Sequence, residues 1–146
     1  MGTLVEISVF EKDKDIAQLA IQKAFNEIQR MEEFMSPRIL NSEISKINRS
    51  AGLQPVPVSL EVFDVIDRAL YWAKQTDGAL DISLEPVQEL WDFDGDHPSL
   101  PDKNVLEQAL SKVDYRKIWL ENQTVFLTEE GMALHLGAIA KGYAVD

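Results

Sequence analysis

Cysteine is absent from this 146-residue chain, which removes disulfides, thiolate nucleophiles and cysteine-ligated zinc from consideration. Histidine is nearly absent. His97 and His135 are the only two, far apart and with no serine or aspartate at a spacing that signals a catalytic triad. Basic charge is scarce as well: 14 Lys and Arg stand against 25 Asp and Glu, a net charge of -11. That balance excludes a nucleic-acid groove, which needs clustered cations to displace counterions from phosphates. Any anionic ligand has to be held locally, against the average field. A long apolar run is missing too. The opening "MGTLVEISVF" has neither a basic leader nor an apolar core of signal-peptide length, so no signal peptide, anchor or membrane segment is expected within these residues. Either the chain is cytoplasmic or an export segment lies upstream.

What is present suits one globular domain: 45% of the residues are hydrophobic and 27% charged. Val5, Ile7 and Val9 alternate with Glu6 and Ser8, which predicts a strand with one buried face over about 4–10. The period then changes. Ile16, Leu19, Ala20, Ala24, Ile28, Met31 and Met35 recur at three and four, predicting a single amphipathic helix over 13–35. Pro37 ends it, and Asn41 or Ser42 caps a second short helix through Asn48.

"SAGLQPVPVS" carries proline at alternate positions, so it is an edge strand or an extended connector. Ser59 caps a third helix to about Gln75, with Val62, Ile66, Ala69, Leu70 and Ala73 as its apolar stripe. "TDG" at 76–78 stops it, Gly78 being suited to a left-handed backbone. A one- or two-turn helix is expected over 86–90, a polar loop in "WDFDGDHPSLP", and a helix over 103–112. Three antiparallel strands follow, "RKIWLE", "TVFLT" and "MALHL", with tight turns at Asn122-Gln123 and at 129–131. The fold class is therefore α+β. A last helix begins near Ala138 and runs out at Asp146 without a closing signal, so the chain reads as part of something longer.

"DFDGD" at 92–96 spaces three aspartates as calcium loops do. The pattern fails in detail, because His97 stands where the loop needs glycine and Lys103 where it needs glutamate. The stretch reads as a solvated turn. His135, on a strand, reads as a structural histidine. Trp72, Trp91 and Trp119 read mostly as core anchors, with contact between one of them and a flat ligand left open. Lys141, set between Gly137 and Gly142 beside the small residues 137–140, is either a surface lysine or a point charge for a phosphate at a helix start.

Four stretches in order, "MGTLVEISV", "PRILNSEISKIN", "DGALDISLEPVQELW" and "LHLGAIAKGYAVD", resemble the ApbE family of flavin transferases, the FAD:protein FMN transferases. The resemblance spans nearly all of the chain. It implies a T-fold-related architecture of long helices packed on antiparallel strands, with residues 1–146 as the N-terminal part of a longer domain that lacks its C-terminal half. By position, Met1 would pack on the flavin and Arg38 would sit near the ring. Ala79, Leu80 and Asp81 would contact the cofactor, Lys141 would reach it, and the Ala138 carbonyl would ligate Mg²⁺.

The activity implied is Mg²⁺-dependent transfer of FMN from FAD to a threonine of an acceptor flavoprotein, with release of AMP, in a periplasmic or membrane-anchored setting. FAD pyrophosphatase activity and a non-catalytic flavin-binding fragment are the alternatives. Four positions depart from the family pattern: His135 replaces an acidic residue expected to hydrogen-bond FAD, Leu80 replaces phenylalanine, Ser83 threonine and Glu85 glycine. The acidic and threonine ligands that complete the magnesium site belong to the half not contained here, so residues 1–146 alone are expected to be inactive.

Overall fold

The structure is a computed structural model and describes residues 4–91 and 100–146. Helix α1 (Lys14–Met35) starts where Asp13 Oδ1 accepts the amides of Asp15 at 2.9 Å and Ile16 at 3.3 Å. It stops at Ser36, whose extended backbone is the conformation that a following proline imposes. Ser42, and not Asn41, caps α2 (Glu43–Arg49), its Oγ accepting Ser45 N at 2.9 Å. Ser59 caps α3 (Leu60–Gln75) through Val62 N, while its own amide and hydroxyl donate to Glu43 Oε2 at 2.8 and 3.1 Å. One carboxylate thereby ties the starts of α2 and α3 together. The end of α3 is a Schellman turn: Gly78 N donates to Ala73 O and Asp77 N to Lys74 O, with Asp77 and Gly78 both at positive φ.

The sheet has the order β1-β3-β2, all antiparallel, from β1 (Val56–Pro57), β2 (Ile118–Glu121) and β3 (Thr124–Leu127). Asn122 and Gln123 both take positive φ, which gives the two-residue turn the twist a hairpin needs. The prolines keep β1 at the edge, as its sequence requires. Short helices α4 (Glu85–Gln88) and α5 (Lys103–Leu110), a 3₁₀ turn at Tyr115–Lys117 and α6 (Ala140–Val145) complete the described elements. The α4 and α5 ends fall two residues short of the ranges expected from sequence, α6 starts about two residues late, and α4 starts one residue early.

The core lies between α2, α3, the sheet and the segment 132–136. Ile44, Ile47, Val62, Val65, Ile66, Val125, Leu127, Leu134 and Leu136 are sealed from solvent. Mixed helices around a small antiparallel sheet bear out the α+β class. Two expected strands are corrected. Residues 4–10 have no ladder partner among the described residues, and Leu4 and Phe10 are fully exposed although Val5 and Ile7 are half-buried; alternation marks a face but cannot supply the neighbouring strand. Residues 132–136 form only an isolated parallel bridge, Leu84 to Ala133. A side chain replaces the missing strand: Asn48 Oδ1 accepts Leu134 N at 2.8 Å and its Nδ2 donates to Leu134 O at 3.1 Å.

Helix α1 is weakly embedded for its length. Of its expected stripe only Met35 is buried, and Ile16 and Leu19 are open to solvent. Tryptophan is corrected as well, since Trp72 and Trp119 are exposed and Trp91 is half-buried. None is a sealed core anchor.

Candidate functional site

The connector between α3 and α4 carries Ala79, Leu80 and Asp81. Asp81 Oδ1 accepts Ser83 N at 2.8 Å and Ser83 Oγ at 2.6 Å, and Oδ2 accepts Tyr115 N at 3.0 Å. Ser83 Oγ in turn accepts Asp114 N at 2.9 Å. This clamp fixes the connector against the 3₁₀ turn and engages three of the roughly four acceptor positions of the carboxylate. Ala79 is exposed and Leu80 half-buried.

Across from the connector lies the segment 134–143. His135 N donates to Ile82 O at 2.8 Å, and His135 Nδ1 accepts Gly137 N at 3.2 Å. An accepting Nδ1 places the proton of the neutral ring on Nε2. Burial, then the charges of Arg38 and Lys141, hold the imidazole below its ordinary range. Gly137 leaves room for the imidazole: a Cβ at this position would lie 2.8 Å from His135 Nδ1, so the ring would have to shift. The exposed Lys141 Nζ donates to Gly137 O. Gly142 has open space where a side chain would project.

A cleft of about 420 Å³ opens between α3, the connector and α6. Its α3 wall holds Val65, Arg68 and Trp72; its floor is Leu80; its far wall includes Ala138, Gly142 and Tyr143. The Arg68 guanidinium lies over the Tyr143 ring, 5.9 Å from its centroid, so one wall offers a cation backed by an aromatic face. Ala138 O accepts no backbone hydrogen bond among the described residues.

Of the residues singled out from sequence, Leu80 and Ala138 meet at the cleft. Arg38, His135 and Lys141 share one electrostatic neighbourhood. Ala79 is at the surface beside the clamp, and Asp81 faces the clamp. Met1, the 92–96 aspartates and His97 lie outside the described residues. Sequence reasoning passed over Arg68 and Tyr143 as site residues, because nothing in their spacing shows that α3 and α6 face each other. It also noted Glu85 only as a departure from a pattern. In the structure Glu85 is 6% exposed, and its carboxyl is pushed up to about 7 by burial and by Glu89, with Arg38 acting in the opposite sense.

An α+β domain with a ligand-sized cleft, an aromatic-backed guanidinium and a nearby lysine is the kind of scaffold that holds a nucleotide cofactor. The chain belongs to the ApbE family, whose model matches residues 1–146. A Treponema pallidum protein named FAD:protein FMN transferase is 32% identical over 155 residues, covering 100% of this chain and 42% of that protein. A Klebsiella pneumoniae protein of the same name is 32% identical over 148 residues, covering 100% of this chain and 46% of its own length. Among solved structures, the ApbE protein of Thermotoga maritima matches with TM-score 0.83 and 28% identity, over 93% of this chain and 45% of that one. The flavin transferase ApbE of Vibrio cholerae matches with TM-score 0.77 and 26% identity, over 92% and 43% respectively. The chain thus spans about half the length of the curated relatives it matches.

Proposed function

We infer that residues 1–146 form the flavin-nucleotide side of an FAD:protein FMN transferase. The observation that carries this reading is the cleft itself: it brings Leu80 of "DGALDIS" against Ala138 of "LHLGAIAKGYAVD", two stretches 58 residues apart in the chain. In the proposed reaction, the hydroxyl oxygen of an acceptor threonine forms a bond to the FMN-side phosphorus of FAD. The bond from that phosphorus to the bridging oxygen breaks, AMP leaves with that oxygen, and the threonine proton passes to solvent. Arg68 and Lys141 supply local positive charge for the diphosphate in a chain that is otherwise strongly acidic. Asp81 acts by holding the connector, so that the backbone at 79–80 is presented in one conformation. Arg38 and His135 border the ring end, and Met1 is assigned to the flavin by the family resemblance alone.

Mg²⁺ would offset the charge of the diphosphate when bound. The Ala138 carbonyl is a free acceptor, but no group of three or more His, Asp or Glu that could hold a metal gathers among the described residues. As they stand these residues do not make up a magnesium site, since that ion is held mainly through carboxylates and phosphates. The other protein ligands would come from polypeptide outside 1–146. No helix among the described residues is long and apolar enough to cross a membrane; a periplasmic or membrane-anchored setting rests on the family resemblance. Incubating the full polypeptide with FAD, Mg²⁺ and a threonine-bearing acceptor should place flavin fluorescence on the acceptor band of a denaturing gel. Its absence sinks the transferase reading, and release of FMN and AMP without acceptor would mark hydrolysis instead.

A further inference from the structure

Trp72 is a large aromatic side chain that neither the core nor the proposed chemistry uses. It is 53% exposed, although an indole has much apolar area to gain from burial, and it stands on the α3 wall of the cleft one turn beyond Arg68. Its neighbours hold it there. Tyr71 meets it edge to face, with ring centroids 5.4 Å apart. Thr76 Oγ1 donates to Trp72 O at 2.8 Å and accepts Leu80 N at 3.2 Å. The end of α3 that carries the indole is thereby tied to the connector that forms the floor.

The facing wall is bare at one position. Gly142 lies within α6, where glycine is unfavourable relative to alanine, and its φ is not in the left-handed region. A Cβ built there would meet nothing within 4 Å. Packing among the described residues therefore gives no reason for this glycine, in contrast to Gly137 beside the His135 ring. What the missing side chain does is leave the α6 backbone open along the cleft. Arg68 and Asp146 put opposite charges on the lining, so the space between the walls suits an uncharged group. At about 420 Å³ the cleft is toward the lower end of small-molecule sites, roughly 300–1,000 Å³, and holds one part of a dinucleotide.

We propose that Trp72 and the bare α6 backbone at Gly142 form a subsite for one planar heteroaromatic ring of the bound nucleotide, the indole stacking on the ring and Gly142 leaving it room. The isoalloxazine of the flavin and the adenine are both rings of this kind. The subsite rests on the flavin-nucleotide reading and assigns one contact surface within it, with the diphosphate left to Arg68 and Lys141.

The test measures binding of FAD, FMN and ADP to the full polypeptide and to its Trp72→Leu, Trp72→Phe and Gly142→Ala variants, with melting temperatures taken without ligand. The subsite requires FAD binding weaker by about fivefold or more in Trp72→Leu and in Gly142→Ala, as loss of a stacking contact gives. It also requires Trp72→Phe to bind closer to the parent than to Trp72→Leu, and melting temperatures to stay unchanged or rise, since alanine suits a helix better than glycine. A loss that follows FMN assigns the flavin ring, and one that follows ADP assigns the adenine. A smaller loss of FAD affinity in either Trp72→Leu or Gly142→Ala overturns the subsite, as does a loss seen with FAD and with neither fragment. A lowered melting temperature in either variant overturns it as well, because protein then fills the space. If the parent binds no FAD, the flavin-nucleotide reading itself falls, and the subsite with it.

Discussion

At the scale of single residues, Glu85 and His135 pull stability in opposite directions as pH changes. The Glu85 carboxyl titrates near 7 in the folded chain against an ordinary 4.5, so the folded state holds that proton more tightly. Its contribution is fully present below pH 4.5, is lost as pH rises through about 7, and is level above. The span corresponds to at most about 3 kcal/mol. Glu85→Gln should therefore raise the urea midpoint at pH 8 relative to the parent and leave it nearly unchanged at pH 4. His135 has the reverse sign. Its folded value lies below 6.5, so stability is complete above pH 6.5 and declines as pH falls from there toward the folded value. An imidazole titration midpoint for His135 below 6.5 by NMR is the expected result. Gly137→Ala should cost about 1–3 kcal/mol by driving a methyl into the His135 ring, and most of that loss should vanish in a His135→Ala background, which a double-mutant cycle measures. The sequence marked Gly137 only as one of the small residues beside Lys141. That its neighbour would be the histidine two residues away was not legible there, because spacing does not give χ angles.

At the scale of elements, capping and turn chemistry made most boundaries legible. Ser42, Ser59 and Gly78 each act as their residue types do elsewhere, and their capping bonds span five residues or fewer. The exceptions involve partners far apart in sequence. Asn48 serves Leu134 as a strand would, across 86 residues. Asn48→Ala strips a donor and an acceptor from a sealed backbone segment and should cost about 2–4 kcal/mol, read from urea unfolding. Helix α1 shows the converse, a strong local signal with weak embedding. Arg30 grips Glu61 of α3 through two hydrogen bonds at 2.6 and 2.7 Å. Both side chains are more than a third exposed, so the pair contributes less than about 1 kcal/mol. Burial of Met35, at the C-terminal end of the same helix, does more. The amides of residues 17–24 should therefore exchange with deuterium much faster than those of 63–73 in α3, where Val65, Ile66 and Ala69 are sealed.

At the scale of the whole molecule, the exposed apolar side chains Leu4, Val9 and Phe10 and, on α1, Ile16, Leu19 and Phe25 leave apolar surface uncovered. Residues 1–146 expressed alone should bind a hydrophobic dye such as ANS. Ile16→Lys with Leu19→Lys should reduce the signal without shifting the unfolding midpoint by more than a few tenths of a kcal/mol, since those side chains are already in water.

From the sequence alone came the helices with their caps, the hairpin turn, the exclusion of thiol and nucleic-acid chemistry, and a family resemblance that the comparisons bear out. All of these depend on residue type and short spacing, which a linear string contains. The tertiary structure decided which segments face one another: Leu80 against Ala138 across the cleft, Arg68 over Tyr143, the Asp81 carboxylate on the Tyr115 amide, and Glu85 buried beside the His135 segment. Burial and partnership at such distances follow from how α3, α6 and the 132–136 segment pack together. That packing depends on the shape and volume of the shared core, and no local pattern encodes it.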